Sequence, residues 1–408
     1  MAKVAILGFG TVGSGVYEVL QANQQAVRKR AGEPVEVKYI LDVRQFPGHS
    51  AKDLFVGEID TILQDPEVVT VVESIGGQDP AYYYVRSALM AGKNVVTSNK
   101  ELVAEKGAEL LEMAKQKNVC FLFEASVGGG TPVITPMYQC LCANTIQQIA
   151  GIVNGTTNFM LTKMAQEGLG FEEALKIAQD LGYAETIDPS ADVDGIDACR
   201  KIAILASLAF GVQILPHNIP TRGIRGVGAE DIQVLSRCGA VVKLIAHARR
   251  DDNGHISCGV EPMVLSGENQ LAGVADVFNA VLVKGDMLGD VMFYGRGAGK
   301  LPTASAVVAD IVDALRIGPR IHDTLFWLPA PEETAILTDP GKNAYYMRAE
   351  GIEAQELRKI IPDAKELSEA PLAFVTGPAD EKELEQKIKA VEQAGGTVCA
   401  WFKLLNEV

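Results

Sequence analysis

Val4-Ala5-Ile6-Leu7-Gly8-Phe9-Gly10-Thr11-Val12-Gly13 follows directly on the first three residues, and its reading decides the fold. The apolar run predicts a strand over residues 4–7. The glycines after it fall in GxGxxG spacing, and a long helical stretch runs from Val12 to about Arg30. In this pattern Gly8 permits the tight turn, Gly10 a close approach of backbone to a pyrophosphate, and Gly13 the packing of helix on strand. The helix N-terminus then offers free N–H groups to phosphates. With 40 glycines in the chain the triplet alone is weak evidence. A strand before it and a helix after it favour a dinucleotide site over a purely structural turn. No cleavage site follows the apolar run, so it reads as a first strand and not as a signal peptide.

Outward from this turn, the first 125 residues alternate short β-branched runs with helical stretches, the signature of βαβ units in a parallel sheet. Strands are predicted over 35–41, 68–74, 94–97 and 119–123, with helices starting near Thr11, Asp79 and Glu101. Their near-continuous apolar character suits a sheet covered on both faces. The expected class is therefore α/β, with a doubly wound parallel-sheet domain over 1–130. From Thr131 the pattern changes. Helices are expected at 132–143, 157–166, 171–180 and 194–210, then strands in succession at 241–248, 256–264, 280–284 and 290–294, giving a second, α+β domain over 131–300. A helix over 301–315, opened by Pro302 and Thr303, returns to the first domain within 301–325. The run Pro329-Ala330-Pro331-Glu332-Glu333 reads as a linker. Residues 331–408, with 15 acidic and 9 basic side chains, predict a small module of βαβ type: strands 344–348, 372–376 and 397–404, helices 352–360 and 381–394.

Composition narrows the function classes. Of 408 residues 48% are hydrophobic and 22% charged, which suits an ordinary globular chain and excludes collagen-like or disordered classes. A net charge of −15 with no basic run argues against nucleic acid as a partner. The longest apolar stretch, 202–210 and a little beyond, is about half the roughly 20 residues a bilayer crossing needs, so no membrane partner is expected. Seven cysteines lie scattered without a CxxC pair or histidines at zinc-ligand spacing, which fits free, mostly buried thiols in a reducing cytoplasm.

Ligands of open parallel sheets lie beyond the carboxyl ends of the strands. At the end of the second strand Asp42 would bind an adenosine ribose and favour NAD, whereas Arg44 would pair with a 2′-phosphate and favour NADP; a solvated turn is the plain alternative. After the fourth strand, Thr97-Ser98-Asn99-Lys100 sets small polar groups and a cation beside the expected nicotinamide. After the fifth, Glu124-Ala125-Ser126-Val127-Gly128-Gly129-Gly130-Thr131-Pro132 brings a carboxylate and three glycines. The densest polar cluster is Gly182-Tyr183-Ala184-Glu185 followed by Asp188, Asp192, Asp194, Asp197 and Lys201. Asp194 reads as the N-cap of a helix apolar almost all round, with Asp197 and Lys201 four apart on one face. A lysine there needs a charge or ligand to meet it, and desolvation favours giving up its proton. Glu185 and Asp192 suit the ammonium group of an amino-acid substrate. The five histidines show no obvious acidic partner, and no cysteine lies in an exposed glycine-rich loop beside a His; Cys199 reads as packing.

Taken together these segments resemble homoserine dehydrogenases over about residues 1–325. The likeness rests on residues 8–15, on Val96-Thr97-Ser98-Asn99-Lys100, Asn154-Gly155-Thr156-Thr157-Asn158-Phe159-Met160 and Leu181-Gly182-Tyr183-Ala184-Glu185. It extends to Asp197-Ala198-Cys199-Arg200-Lys201 and Gly295-Arg296-Gly297-Ala298-Gly299-Lys300-Leu301-Pro302-Thr303. The resemblance implies a Rossmann-type first domain and NAD(P)-dependent interconversion of L-homoserine and L-aspartate 4-semialdehyde, a step toward threonine, isoleucine and methionine. It makes Lys201 the proton donor, with Lys100 in support, and Glu185, Asp197 and Asp192 substrate-binding. It places cofactor contacts at Phe9, Thr11, Val12, Ser98, Lys100, Gly182 and Gly297. It also implies a monovalent cation, usually sodium, held by Glu124 and by carbonyls of Val127, Gly129 and Thr131, and a homodimer or homotetramer built through the middle domain. Arg296 departs from the Pro of many relatives. The tail resembles a reduced ACT module opening at Asn343-Ala344-Tyr345-Tyr346-Met347-Arg348, and it lacks the Asp-x-Pro-Gly-Val-Leu turn that normally follows, so the resemblance leaves feedback inhibition by threonine open, with a role in assembly alone as the alternative. Two other classes compete: a semialdehyde-oxidising enzyme, which needs a thiol nucleophile, and a non-catalytic dinucleotide sensor.

Overall fold

A computed structural model describes residues 1–329 and 341–405 of the chain. Its first sheet holds six strands, all parallel: β1 (Ala2–Leu7), β2 (Val35–Leu41), β3 (Phe55–Val56), β4 (Val68–Glu73), β5 (Asn94–Thr97) and β6 (Phe121–Leu122). They lie in the order β3-β2-β1-β4-β5-β6. This is the doubly wound order, in which chain direction across the sheet reverses between β1 and β4 and opens a crevice there. Val4, Ala5, Ile6 and Leu7 are fully buried, as expected for a central strand covered by helices on both faces. Helices Thr11–Ala22, Ala81–Met90 and Lys100–Lys117 supply those covers.

Up to residue 143 the structure differs from the sequence reading in the short strand β3 and the helix Ile59–Leu63, neither of which was expected, and in two further details. The single helix expected to about Arg30 is broken at Asn23 (φ −111°, ψ 26°) into Thr11–Ala22 and Gln24–Ala31. Asn leaves helical geometry readily, and the break lets Val27 turn inward against the core. The helix expected over 132–143 is reduced to a five-residue π-helical turn, Pro136–Cys140, because Pro132 and Pro136 each remove a backbone donor.

The second sheet begins with β7 (Ile146–Ile152), β8 (Ala240–Arg250), β9 (Ile256–Ser266), β10 (Phe278–Gly285) and β11 (Gly289–Arg296), antiparallel to one another. Helices Gly155–Glu167, Phe171–Asp180, Ile196–Phe210 and Ala229–Arg237 belong to the same layer pair. The strand β7 was not foreseen, since Gln147 and Gln148 interrupt its apolar run. Helix Lys300–Arg316 returns to the first domain and packs on Thr11–Ala22, with Lys300 Nζ 2.7 Å from Glu18 Oε2.

The tail contributes β12 (Tyr345–Glu350), β13 (Lys365–Glu369), β14 (Leu372–Val375) and β15 (Thr397–Leu404), with helices Ala354–Ile360 and Glu381–Gln393 between them. Its connectivity is βαββαβ, one strand more than the sequence suggested. The extra strand, Lys-Glu-Leu-Ser-Glu, is at the sheet edge, where polar side chains are tolerated. Nor is the tail a detached unit. β15 pairs in parallel with β9 through Lys403↔Met263 and Leu404↔Val264, so nine strands run in the order β11-β10-β7-β8-β9-β15-β12-β14-β13. Arg348 Nε donates to Asp231 Oδ1 at 2.8 Å, Tyr346 Oη donates to the same oxygen, and the Arg222 guanidinium stacks 3.8 Å over the Trp401 ring. The linker residues 330–333 and the first residues of the tail's expected range, to 340, lie outside the described residues. Among the described residues no helix is long and apolar enough to cross a membrane.

Candidate active site

The chain enters the crevice at Gly8, whose φ of +87° belongs to the left-handed region that favours glycine. A methyl group at Gly13 would overlap the Gly8 carbonyl oxygen, so this close approach of helix to turn admits only glycine. Gly10 stands at the N-cap of helix Thr11–Ala22, and no side chain caps that terminus. The first N–H groups, on Thr11, Val12 and Gly13, are thus left to a ligand. The turn has the cradle that a pyrophosphate requires.

Phe9 plays a different part from its neighbours. Its ring is 3% exposed and packs edge-on against Phe46, His49 and Phe55, so only its backbone faces the turn. That N–H donates to Asp42 Oδ2 at 2.5 Å. Asp42 also takes a bidentate pair from Arg44, Nε to Oδ1 at 2.9 Å and Nη2 to Oδ2 at 2.8 Å. The Arg44 guanidinium beside it, against the opposing effect of burial, holds the Asp42 carboxyl well below the usual carboxylate range. The two residues that the sequence set as alternatives therefore form one unit, with Arg44 on its outer side.

Beyond the turn lies a cavity of about 620 Å³ between the two domains. Of the expected cofactor residues, Val12, Ser98, Lys100, Gly182 and Gly297 line it; so do Asp192, Asp197 and Lys201 from the expected substrate and catalytic set, and Val127 and Gly129 from the cation set. Gly8, Phe9, Gly10, Thr11 and Gly13 of the turn are not in the lining, nor are Asp42 and Arg44, which follow β2 and reach the turn through Phe9 N. Glu185 is exposed beyond Tyr183 and does not line the cavity either.

At its centre one carboxylate serves two cations. Asp197, 7% exposed, has Oδ1 2.8 Å from Lys100 Nζ and Oδ2 2.8 Å from Lys201 Nζ. Lys201, 8% exposed, also donates to the Val153 carbonyl at 2.7 Å. An ammonium has three N–H groups. Two are placed on protein oxygens, and the third has no protein acceptor among the described residues, at a nitrogen that borders the cavity. Asn154, overlooked as a functional residue, completes the group: its Nδ2 donates to Asp192 Oδ1 at 2.7 Å and to Asp197 Oδ2 at 2.9 Å, while its Oδ1 caps helix Gly155–Glu167 through Thr157 N. An Asn between a strand and a Gly-Thr-Thr helix start is an N-cap signature, and that was the signal available. Glu73, also overlooked, is fully buried at the end of β4 and accepts from Thr97 Oγ1 and from the N–H of Ile75 and Gly76, which fixes the base of the loop carrying Ser98 and Lys100.

Burial opposes the charge on Asp197, but the ammoniums of Lys201 and Lys100 outweigh it and hold its carboxyl below the usual range. The Asp197 charge in turn raises Lys100 against desolvation. Burial pushes Asp192 up, with Asn154 opposing and Asp197 reinforcing. The helix N-cap expected at Asp194 is Gly195 instead; Asp194 turns outward and pairs with Arg225 Nε at 2.6 Å.

Glu124, 4% exposed, accepts N–H from Val133 and Ile134 at Oε1 (2.7 and 3.0 Å) and from Thr135 at Oε2 (2.6 Å). Its own N–H donates to Asp310, whose carboxyl is raised well above its ordinary value by burial and by the Glu124 charge. Thr131 Oγ1 donates to the Arg296 carbonyl. Among the described residues no cluster of three or more His, Cys, Asp or Glu is placed to hold a metal.

The histidine reading needs correction. Strand pairing of β8 with β9 brings His247 Nε2 to 3.6 Å from Glu261, and His255 Nδ1 lies 3.1 Å from Asp251 four residues back. Neither lines the cavity, and no cysteine does, although Cys140, Cys142, Cys238 and Cys399 are exposed where mostly buried thiols were expected. Cys199 is buried and donates to the Pro216 carbonyl, and burial raises its thiol. The thiol chemistry of a semialdehyde-oxidising enzyme has no residue here.

Comparison with known proteins identifies the lineage. A family model described as homoserine dehydrogenase matches residues 132–312, and one described as the homoserine dehydrogenase NAD binding domain matches residues 8–124. A homoserine dehydrogenase of Synechocystis sp. is 46% identical over 323 residues, covering 77% of this chain and 73% of that protein. The chain belongs to the homoserine dehydrogenase family. Members of this family are NAD(P)-dependent oxidoreductases, and the glycine-rich domain is its nucleotide-binding half. A crystal structure of a homoserine dehydrogenase from Thiobacillus denitrificans superposes with a TM-score of 0.89 at 35% identity, covering 99% of this chain and 98% of that one. A hyperthermophilic archaeal homoserine dehydrogenase solved in complex with NADPH gives 0.66 at 31% identity, over 77% of this chain and 97% of that one.

The lowered carboxyl of Asp197 sets a pH dependence. A depressed folded value means stability that is present above the unfolded value, about 4, and lost as pH falls through the folded one. Unfolding free energy should therefore bend downward below about pH 4 in the natural protein and bend less in Asp197→Asn, which is less stable at neutral pH. Superimposable acid limbs for the two proteins would contradict the assignment.

Proposed function

We propose that the cavity interconverts L-homoserine and L-aspartate 4-semialdehyde, with NAD or NADP as hydride carrier and Lys201 as the proton donor. The observation that carries the proposal is the Lys100–Asp197–Lys201 arrangement, with one N–H of Lys201 left over at the cavity. Ser98, Lys100 and Gly297, which line the cavity, would hold a nicotinamide, which when bound would supply the hydride in the reducing direction and accept it in the other. Lys201 Nζ then hands a proton to the alkoxide oxygen formed at the former aldehyde carbon, and in reverse takes it back. Asp197 holds Nζ in place and keeps a negative charge beside the amine throughout. Lys100, tied to the other oxygen of Asp197, adds positive potential where the oxygen becomes anionic. Asp192, oriented by Asn154, offers a carboxylate to the substrate ammonium. Glu185, exposed outside the cavity, stands as a second carboxylate at its approach beside Tyr183.

In Lys201→Met, turnover of aspartate semialdehyde followed by NAD(P)H absorbance should fall by about 10²- to 10⁴-fold with cofactor affinity retained. Normal turnover would overturn the proton-donor assignment. Cofactor binding without any turnover in the natural protein would favour the sensor reading.

The Asp42–Arg44 unit supports a preference for NADP. Asp42 is already neutralised and occupied, while Arg44, 57% exposed at its side chain, keeps N–H groups free for a 2′-phosphate. Arg44→Ala is expected to raise KM for NADPH about tenfold, the order of one charge-assisted hydrogen bond, and to leave KM for NADH within about twofold. Equal effects on both would count against the role.

A monovalent cation fits the loop after β6. Glu124 Oε2 retains a lone pair, and the Val127 and Gly129 carbonyls accept no hydrogen bond among the described residues. Hard oxygens of this kind suit sodium more than a transition metal. Replacing sodium chloride with choline chloride at constant ionic strength should lower turnover several-fold; indifference to the exchange would remove the cation from the proposal.

A further inference from the structure

The buried carboxamide of Asn279 has no role in the chemistry above and has no hydrogen-bond partner. Asn279 lies on β10, opposite Gly295 of β11, and is 2% exposed. Both its Oδ1 and its Nδ2 are shut off from solvent and unpaired, and it is the one side chain among the described residues with both polar atoms in that condition. A buried amide in this state is costly and calls for an explanation.

Its surroundings supply one. The amide lies flat against Gly297: a methyl group there would overlap Nδ2, Cγ and Oδ1 alike. On the other side is Gly155, where a methyl group would meet Asn279 Oδ1 at 3.5 Å and the Val277 carbonyl at 2.8 Å. Gly155, Val277 and Gly297 all line the cavity, so the amide is sandwiched immediately behind its wall. The segment 295–299 runs against it, with Gly295 opposite Asn279 in the strand pair and Gly297 on the face of the amide. That segment, Gly-Arg-Gly-Ala-Gly, is rich in the residue with the greatest backbone freedom, and Gly299 sits at φ +123°. In the present arrangement the amide meets the segment by its face, where it cannot hydrogen-bond.

We propose that Asn279 is a positioning residue for the segment 295–299: when a nicotinamide nucleotide is bound, the segment shifts and its peptide groups pair with the Asn279 carboxamide. A ligand favours one arrangement only by its differential interaction with the two. Here the unpaired amide disfavours the present arrangement, and pairing favours the one that closes on the cofactor. The inference rests on the reading of the cavity as the NAD(P) site. Asn279 touches no reacting atom; it acts through the segment bearing Gly297.

Asn279→Leu is the direct test, because leucine fills nearly the same volume and cannot hydrogen-bond. A side chain that merely fills space would be replaced with no loss. The melting temperature of Asn279→Leu should equal or exceed that of the natural protein, since an unpaired buried amide has been removed. Kd and KM for NADPH should rise about tenfold, with kcat changed less than KM. Hydrogen exchange of peptides spanning 293–301 should slow on adding NADPH to the natural protein and slow little in Asn279→Leu. Should the leucine variant fail to fold, Asn279→Ala gives the same binding and exchange readouts. Unaltered NADPH affinity and the same cofactor-induced slowing in the variant would overturn this inference while leaving the cavity assignment intact. Absence of saturable NADPH binding to the natural protein would overturn the cavity assignment itself, and this inference with it.

Discussion

One carboxylate between two ammoniums is the constraint on which the site depends. Asp197 lies in the first turn of a helix that is buried almost all round, where an isolated charge of either sign would be prohibitive. The arrangement is tolerable because each charge is met: Asp197 by Lys100 and Lys201, Lys201 also by the Val153 carbonyl, and the remaining carboxylate capacity by Asn154. Removing Asp197 leaves the Lys201 ammonium without its carboxylate in a place water barely reaches. The same enclosure that makes the group expensive makes its fields strong at a substrate.

The fold exists, in this sense, to bring its parts together. Lys100 stands at the start of the helix following β5, in the parallel sheet. Asp197 and Lys201 sit on a helix of the second domain, and Val153 and Asn154 follow its strand β7. The salt bridge from Lys100 to Asp197 therefore crosses the boundary between domains, and the Arg200–Glu101 pair at 3.3 Å reinforces the crossing. The return helix Lys300–Arg316 binds the two halves a second time. Charge pairing and domain docking are one event.

Much of this was legible in the residues. Strands β2 and β5 were placed to the residue because their Val-rich runs end abruptly in Asp42-Val43-Arg44 and Ser98-Asn99-Lys100, polar turns that a buried sheet requires. Lys201 was singled out because a cation in an apolar helix has few innocent explanations. Other features were hidden. Asn154 is an unremarkable cap until the distant Asp192 and Asp197 arrive at its amide. His247 lacks a partner in sequence because Glu261 reaches it only through the register of β8 on β9. The strand Lys365–Glu369 is too polar to announce itself and forms because its partner β14 supplies the hydrogen bonds. The break at Asn23 answers to the sheet that Val27 must meet, not to propensity alone.

The sequence by itself determined the local grammar: the glycine spacing that admits a pyrophosphate, the alternation of strand and helix, the apolar helix holding an acid and a base four residues apart, and the family likeness. These depend on neighbours within a turn or a strand length, where covalent geometry dictates who meets whom. Only the tertiary structure decided that Asp42 and Arg44 clasp each other, that Glu185 stands outside the cavity, that Lys100 and Lys201 share one carboxylate, and that the tail extends the second sheet. Apart from the local clasp of Asp42 and Arg44, such meetings join residues as much as about a hundred and forty positions apart. They are fixed by how whole layers pack and by the need to pair every buried charge, which no short window of sequence contains.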